Sequence, residues 1–223
     1  MELKEIFNIE QTIARDIFED YKYPWEILPN IDDFIMKLGE KLDKEKFEEV
    51  QENVWVAKSA HIDKTASIVG PTIIDENAEI RHCAFIRGKA IVGKNAVVGN
   101  STELKNCILF NEAKVPHFNY VGDSILGYKA HLGAGTILSN VKSDKTNVKI
   151  KIDGKESKKI TIDTKLKKCG SFVGDFVEVG CNSVLNPGTI VCKNTSIYPL
   201  SCVRGFIKEN SIYKSENNII IKF

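Results

Sequence analysis

Two basic residues, Arg87 and Lys105, lie 18 residues apart, and each directly follows an apolar residue, Ile86 or Leu104. Two such cations can bind a phosphate group between them, because hydrogen bonds to an ionised group are stronger than neutral ones. A carboxylate such as Glu103 could instead neutralise them in a surface ion pair. The pair by itself favours this simpler explanation, and a phosphate pocket is the alternative.

The segment HFNYVGD follows and contains His117 and Tyr120. A neutral imidazole can accept a proton from an amine or hydroxyl that attacks a thioester, and no covalent intermediate is then needed. This is the chemistry of an acetyltransferase. A histidine in a turn is more often structural than catalytic, so His117 is a candidate general base whose role depends on what lies around it.

The elements that position these residues follow from a sixfold repeat of apolar residues. They are Val56, Ile62, Ile68, Ile74, Ile80, Ile86, Val92, Val98, Leu104 and Phe110, and then Val173, Val179, Leu185, Val191, Ile197 and Val203. A small residue usually stands two positions before each one. Neither the helical period of 3.6 nor the strand period of 2 produces this pattern, which is typical of a hexapeptide solenoid.

Three hexads make one triangular coil, so residues 18 apart lie on the same face, roughly 4.8 Å apart. Arg87 and Lys105 should therefore stack on one face. The next coil is shortened by a five-residue step at Leu109, which places His117 and Tyr120 near the same edge.

The repeat is interrupted over residues 139–170, where VKIKIDGKESKKITI alternates apolar and polar residues around Asp153 and Gly154. This pattern predicts a β-hairpin arm that projects from the solenoid. The arm is rich in lysine, and two explanations are equally open: a solvated surface, or a surface that steers anions.

Residues 1–53 follow a helical pattern instead, with Ile9, Ile13, Ile17 and Tyr21 at helical spacing. A second helix is predicted to begin after Asn30, a good N-cap residue. We expect a helical N-terminal cap over the first coil, a β-helix over residues 54–214 with an insert at 139–170, and a tail over 215–223.

Composition limits the class of partner. The 31 basic and 30 acidic residues give a net charge of +1, which provides no field for nucleic acid or a membrane surface. The N-terminus lacks the apolar run of a signal peptide, and no stretch reaches the ~20 apolar residues of a membrane span. We expect a cytoplasmic protein without nucleic-acid or membrane partners.

A metal site is another possibility, because some β-helical enzymes bind zinc through three histidines. The four histidines are His61, His82, His117 and His131. They lack the close pair that such a site needs, and the six cysteines show no CxxC spacing, so we expect neither zinc nor a disulfide framework.

The segment from Phe85 to Thr136, with H-x-x-Y-x-G-D followed by G-A-G-T, resembles the acetyltransferase domain of bifunctional glucosamine-1-phosphate acetyltransferase/N-acetylglucosamine-1-phosphate uridylyltransferases. From Gly133 to Gly205 the chain is similar to archaeal-type sugar-phosphate nucleotidyltransferases. The resemblance covers about residues 54–214. It implies a left-handed β-helix, a homotrimer with active sites between subunits, and acetyl transfer from acetyl-CoA to the amine of glucosamine 1-phosphate.

The same resemblance assigns residue roles. It makes His117 the catalytic base and gives a small-molecule sugar phosphate four ligands: Arg87, Lys105, Tyr120 and His131. It places Ala134, Asn140 and Cys181 along the acetyl-CoA groove.

Two residues depart from the family pattern. His131 stands where the bacterial enzymes usually have an asparagine that touches the sugar, and Val141 replaces an aromatic residue. The sugar is therefore open. A Gly-rich nucleotide-binding loop is absent, and 53 residues are too few for that domain, so we expect no uridylyltransferase activity.

Three functions agree with these observations. The first is an acetyl-CoA-dependent N-acetyltransferase of an amino-sugar 1-phosphate. The second is a non-catalytic β-helix protein that binds a sugar phosphate or nucleotide sugar or has a regulatory role, which CoA binding would distinguish from the first. The third is O-acetylation of another sugar or a small alcohol.

Overall fold

A computed structural model describes residues 3–153 and 159–222 of the chain. Short parallel strands pair from one coil to the next and build a left-handed, three-sided β-helix, as the hexads predict. We name its faces A, B and C in the order in which the chain visits them. The prediction of the fold class is confirmed.

The strands of each face are as follows. Face A contains β2 (Val54–Ala57), β5 (Thr72–Ile74), β8 (Ala90–Val92), β17 (Phe172–Val173), β20 (Ile190–Val191) and β23 (Phe206–Ile207). Face B contains β3 (His61–Ile62), β6 (Glu79–Ile80), β9 (Val97–Asn100), β11 (Lys114–His117), β13 (His131–Leu132), β18 (Glu178–Val179), β21 (Ser196–Ile197) and β24 (Ser211–Ser215). Face C contains β4 (Ser67–Ile68), β7 (Phe85–Ile86), β14 (Ile137–Leu138), β19 (Val184–Leu185) and β22 (Cys202–Val203).

Two longer strands, β10 (Glu103–Leu109) and β12 (Tyr120–Leu126), pass around the corner between faces C and A and belong to both. Antiparallel strands close the two ends of the solenoid: β1 (Phe47–Gln51) pairs with β2, and β25 (Asn218–Ile221) pairs with β24. The solenoid thus has no unpaired parallel strand at these positions.

The interior follows the hexads with two exceptions. Leu109, not Phe110, fills the interior at the shortened coil, and Phe110 points outward into a separate cluster of buried side chains. The coil is one residue short there, so the inward position moves back by one. Ile62, in the first coil, is partly exposed because only one neighbouring coil covers it.

The inserted arm consists of β15 (Lys149–Asp153) and β16 (Lys159–Asp163), which pair antiparallel as predicted. The predicted turn at Gly154 lies outside the described residues. One side of β15 is buried with the residues that cover face A, through Ile150 and Ile152. The base of the arm therefore packs against the solenoid.

The N-terminal segment differs from the helical prediction. It contains α1 (Leu3–Ile6), four 3₁₀ turns (Ile9–Gln11, Arg15–Phe18, Pro24–Glu26 and Leu28–Asn30) and α2 (Ile31–Gly39). The continuous helix expected over Ile9 to Tyr21 is wrong, because Thr12 is extended and its hydroxyl accepts a hydrogen bond from the Ala14 N–H. Such local bonds compete with helix formation.

Asn30 does precede α2, but its side chain donates to the Glu26 carbonyl and does not cap the helix. The position of the segment also differs from the expectation. At the first coil β1 pairs with β2 and the end of α2, at Gly39, lies against Trp55 of β2, whereas most of the segment runs along face A.

Face A is covered because its outward side chains are apolar. They are Ile73, Ile91, Ile108, Ile125, Phe172 and Ile190, all fully buried. Trp25, Phe7 and Phe18 of the N-terminal segment pack in the same cluster, and Trp25 lies 6.2 Å from Phe172 between ring centres. Burial of an apolar side chain of this size contributes about 1.5–3 kcal/mol, so the cover is part of the folded core.

None of the described helices is long and apolar enough to cross a membrane.

Candidate functional site

The stacking predicted for Arg87 and Lys105 is present at the corner between faces C and A. The backbone N–H of Arg87 donates to the Leu104 carbonyl at 2.8 Å, which places Arg87 one coil before Lys105. Arg87 also forms an ion pair with Glu103, with 2.6 Å between Nη1 and Oε1. This pair raises the pKa of the Arg87 guanidinium, chiefly through the hydrogen bond. The pair is half exposed, so it contributes little stability.

Lys105 contacts a different carboxylate. Its Nζ lies 3.4 Å from Oδ2 of Asp123, and the Asp123 side chain is almost completely buried. The Asn106 side-chain amide donates to the other oxygen of Asp123 at 2.8 Å. Asn140, one coil further on, donates to Oδ2. Donors from the coils before and after Asp123 therefore converge on its carboxylate.

Asn140 also connects Tyr120 to this cluster. Its amide nitrogen lies 3.3 Å from the Tyr120 hydroxyl and donates to it. Burial, and then the negative charges of Asp123 and Glu103, raise the pKa of the Tyr120 phenol. The phenol therefore stays protonated, and because its oxygen accepts from Asn140, its own hydrogen is available to a ligand.

Gly122 makes this approach possible. A Cβ atom at Gly122 would lie 2.5 Å from the Tyr120 hydroxyl and 2.8 Å from the Asn140 amide nitrogen. Both distances are below van der Waals contact. We name the group formed by Lys105, Asn106, Tyr120, Asp123 and Asn140 the Asp123 cluster.

His117 lies at the corner between faces B and C, so the expectation that it shares an edge with Arg87 and Lys105 is wrong. Backbone hydrogen bonds run from Gly135 to the His117 carbonyl at 3.0 Å, and from Asn182 to the Ala134 carbonyl at 2.8 Å. The next bond of this ladder ends on the carbonyl of Cys181. His117, Ala134 and Cys181 therefore occupy the same position in three successive coils.

The His117 ring is exposed at this corner, while its backbone is fixed. The His117 N–H donates to the buried side chain of Asn119 at 3.1 Å, and that side chain donates to the Gly133 carbonyl at 2.9 Å. Asn119 thus ties the His117 turn to the coil of Ala134. The column of His117, Ala134 and Cys181 forms a continuous edge, which we name the His117 edge.

The two groups are separated within one chain. Lys105 pairs in register with Gly122, which lies five residues after His117. At ~3.3 Å per residue, face C places up to about 16 Å between them. The structure brings Lys105, Tyr120 and Asn140 together and His117, Ala134 and Cys181 together, but it does not bring these two sets into contact within one chain.

His131 lies apart from both sets, on face B. Its Nδ1 is 2.7 Å from Oε2 of Glu178, its partner in the next coil. On the other side it pairs with Lys114, three residues before His117. A sugar-binding role for His131 therefore requires a ligand that extends across the corner, or a second subunit.

The sequence did not single out Asp123 as a functional candidate, although it is the last residue of the H-x-x-Y-x-G-D segment. An aspartate after glycine is typical of an ordinary turn, and Asp123 does have the left-handed backbone of one, with φ +48°. The signal that could have identified it is its place one coil after Asn106, at a corner where a carboxylate must be paired or exposed.

Lysines of the inserted arm lie around a cleft. Lys142, Lys149 and Lys151 line a cleft of about 920 Å³ together with Arg204 of the C-terminal coils. Lys142 is paired with Asp144 at 3.1 Å. Within the part of the chain that the structure describes, no three His, Cys, Asp or Glu side chains are grouped to hold a metal ion.

These features define a class: a β-helix of hexapeptide repeats with an imidazole at one corner and paired cations at the next. The chain belongs to the family described as the GMPPB C-terminal domain, whose model matches residues 68–207.

Relatives of known sequence agree with this assignment. The chain is 32% identical to the "Bifunctional protein GlmU" of Methanococcus maripaludis over 92% of its own length and 49% of the relative. It is 29% identical to a "Bifunctional sugar-1-phosphate nucleotidylyltransferase/acetyltransferase" of Sulfurisphaera tokodaii, over 72% of the chain and 43% of the relative. The chain thus spans about half the length of the curated relatives it matches.

Among solved structures, a mutant of AntD, an N-acyltransferase from Bacillus cereus in complex with dTDP and coenzyme A, matches with a TM-score of 0.38. The identity is 16%, over 78% of this chain and 89% of that one. A mutant of perosamine N-acetyltransferase from Caulobacter crescentus, in complex with CoA and GDP-perosamine, has a TM-score of 0.36 and 14% identity, over 75% of this chain and 56% of that one.

Proposed function

We propose that the protein is an acetyl-CoA-dependent N-acetyltransferase that acts on an amino-sugar 1-phosphate such as glucosamine 1-phosphate. The observation that carries the proposal is the position of His117 in one column with Ala134 and Cys181, at the edge of the face whose opposite edge holds Lys105 and Tyr120. One edge would supply the base beside acetyl-CoA, and the other would supply donors for the phosphate. The name of one relative, "Bifunctional sugar-1-phosphate nucleotidylyltransferase/acetyltransferase", supports this pairing of ligands.

In the proposed reaction the acceptor amine, in its neutral form, attacks the thioester carbonyl carbon of acetyl-CoA. The new C–N bond forms, the C–S bond breaks, and the CoA thiolate leaves. His117 takes the proton that the nitrogen loses, because imidazole is the side chain best matched to neutral pH. The sulfur leaving group accepts a proton from solvent or from the imidazolium.

The acceptor would be held by Arg87, Lys105 and Tyr120. The guanidinium and the ammonium each use one donor on a carboxylate, Glu103 or Asp123, and keep further N–H groups for a phosphate. The phenol of Tyr120 supplies a neutral donor. The donor molecule would run along Ala134 and Cys181. Asn140, expected in the same groove, lies instead in the Asp123 cluster, at the other edge of face C of its own chain.

A homotrimer completes this site. Because up to about 16 Å of face C separates His117 from the register of Lys105, we propose that the His117 edge of one subunit meets the Asp123 cluster of another. Light scattering should give a mass close to three times the 25.0 kDa of one chain. A monomer that turns over substrate would contradict the shared site.

The test of the activity is release of CoA from acetyl-CoA in the presence of a panel of amino-sugar 1-phosphates. His117→Ala should reduce the rate by about 10²–10⁴-fold with little change in the binding of either substrate. His82→Ala is a matched control, because His82 occupies the same corner position two coils earlier. Near wild-type turnover of His117→Ala would refute the catalytic role of His117, and an equal loss in both variants would show a structural effect instead.

The second candidate is a non-catalytic protein that binds a sugar phosphate. The observation in its favour is that each cation already has a carboxylate partner, in the pairs Arg87–Glu103 and Lys105–Asp123. A chain that binds the sugar phosphate but not CoA would support it. O-acetylation of another sugar would appear as CoA release with acceptors that lack an amine. The absence of uridylyltransferase activity stays a prediction.

A further inference from the structure

Asp123 is a buried carboxylate in the candidate site. Its residue is 4% exposed, and it is the acceptor for donors from Lys105, Asn106 and Asn140. A buried carboxylate is costly unless it is paired and hydrogen-bonded, and these three donors supply that pairing. The carboxylate therefore contacts Lys105 directly and Tyr120 through Asn140, and Lys105 and Tyr120 are both proposed ligands of the phosphate.

The two oxygens of Asp123 have different partners. Asn106 donates to Oδ1, whereas Lys105 and Asn140 both meet Oδ2. Asn106 thereby fixes the plane of the carboxylate. Oδ2 then fixes the ammonium of Lys105 and the amide of Asn140 relative to one another.

The effect reaches Tyr120 through Asn140. One amide nitrogen donates both to Asp123 and to the Tyr120 hydroxyl, so the carboxylate sets which way the Asn140 amide faces. If the amide were reversed, its oxygen would face the phenol and accept that hydrogen. The hydrogen of Tyr120 would then be lost to the ligand.

The backbone of Asp123 is fixed by the arm. Its carbonyl accepts from Gly170 at 2.7 Å, and the Asn140 carbonyl accepts from Cys169 at 2.9 Å. The point where the arm rejoins the solenoid is therefore bonded to two residues of the Asp123 cluster, Asp123 and Asn140. A Cβ at Gly170 would lie 2.2 Å from the Gly122 carbonyl oxygen, so the return path passes close to this corner.

We propose that Asp123 is a positioning residue: its carboxylate orients the Lys105 ammonium and, through Asn140, the Tyr120 hydroxyl toward the phosphate-bearing substrate. Asp123 does not touch the substrate itself. The inference rests on the proposed function, because the substrate is the amino-sugar phosphate of that proposal. An alternative role for the same geometry is competition, in which the carboxylate keeps Lys105 from the phosphate.

The substitution Asp123→Asn distinguishes the positioning role from competition. Asparagine has the same size and tolerates the left-handed backbone at φ +48°, but it removes the charge and one acceptor. Loss of oriented donors should raise KM for the amino-sugar phosphate by about 10–100-fold, the effect of one or two charge-assisted hydrogen bonds. The KM for acetyl-CoA should not change, and kcat should change less than KM.

Asp175→Asn is the matched control. Asp175 is also a buried corner carboxylate, with donors from the Asn8 and Tyr128 backbone and a lysine, Lys193, at 3.3 Å. It lies in no candidate site. A rise in the KM for the amino-sugar phosphate in both variants would show a general effect of losing a buried carboxylate and would overturn the positioning role. A fall in that KM in Asp123→Asn would establish competition instead.

A second readout does not depend on turnover. The six tyrosines can be labelled with ¹³C at Cζ and titrated by NMR, with the Tyr120 signal assigned through Tyr120→Phe. Removal of the Asp123 charge should lower the pKa of Tyr120, and Asp175→Asn should leave it unchanged. If wild-type protein acetylates no acceptor, the proposed function fails, whereas an unchanged Tyr120 pKa in Asp123→Asn would overturn the coupling itself.

Discussion

Ile91 provides the test of whether the N-terminal segment covers face A. It is the residue before the interior Val92, so its side chain points away from the solenoid, and yet it is fully buried. Val184 has the same outward position on face C and is 37% exposed. The two residues differ in what lies over them.

Ile91→Ala should therefore be much more costly than Val184→Ala. A fully buried isoleucine replaced by alanine loses about 2–5 kcal/mol, because the transfer free energy of the side chain and the cost of a cavity add. The exposed valine should lose about 0.5 kcal/mol or less. For a chain of this length each kcal/mol lowers the melting temperature by about 2–4 °C.

The assay is thermal and urea unfolding of the two variants beside the wild type. A drop of about 4 °C or more for Ile91→Ala, with almost none for Val184→Ala, is the expected result. Equal effects within about 0.5 kcal/mol would show that face A is open in solution, and the cover described above would be wrong. CoA-release activity serves as a check that neither variant changes the site.

Two further predictions concern charges. Arg87→Ala should weaken sugar-phosphate binding by about 10–100-fold, measured by calorimetry, while acetyl-CoA binding barely changes; equal loss of both ligands would contradict the assignment. Hydrogen bonds from the Thr146 N–H and hydroxyl, and then from the Lys142 ammonium, lower the pKa of Asp144 to about 2. The stabilisation from these hydrogen bonds is therefore complete above pH 3.8 and is lost as the pH falls toward 2. The Thr146 amide signal should titrate over this acid range in wild type and not in Asp144→Asn.

Much of the solenoid could be predicted because one large apolar residue in six must face inward, with a small residue two positions before it. That rule failed at Phe110, where a local shortening moved the inward position to Leu109. Periodicity records the spacing of the inward residues but does not say which of two adjacent apolar residues fills the interior. The packing of Phe110 against Phe7 and Phe18 decides it.

The position of the N-terminal segment was not predicted, although a signal was present. In the coils of face A the residue before the interior one is apolar, as at Ile73, Ile91 and Ile125, whereas on face C it includes Glu103 and Tyr120. An outward apolar residue recurring once per coil indicates a covered face. Helical spacing in a separate segment cannot show where that segment docks.

The candidate site was predictable to different degrees. The 18-residue spacing placed Arg87 above Lys105, since parallel strands keep their register. It could not place Asp123 or Asn140, whose roles depend on side-chain hydrogen bonds at a corner where the coil is shortened and the arm begins. Such bonds join residues 17 apart, close to but not at the repeat length.

The covered face also constrains how subunits could meet. With the N-terminal segment and the base of the arm on face A, contacts between copies of the solenoid have only faces B and C and their corners available. His117 lies at the B–C corner, His131 on face B, and the Asp123 cluster at the far edge of face C. All the candidate residues therefore lie on the two open faces or at their corners. A neighbour that brings its B–C corner to the far edge of face C would join the proposed base to the proposed phosphate site without displacing the cover.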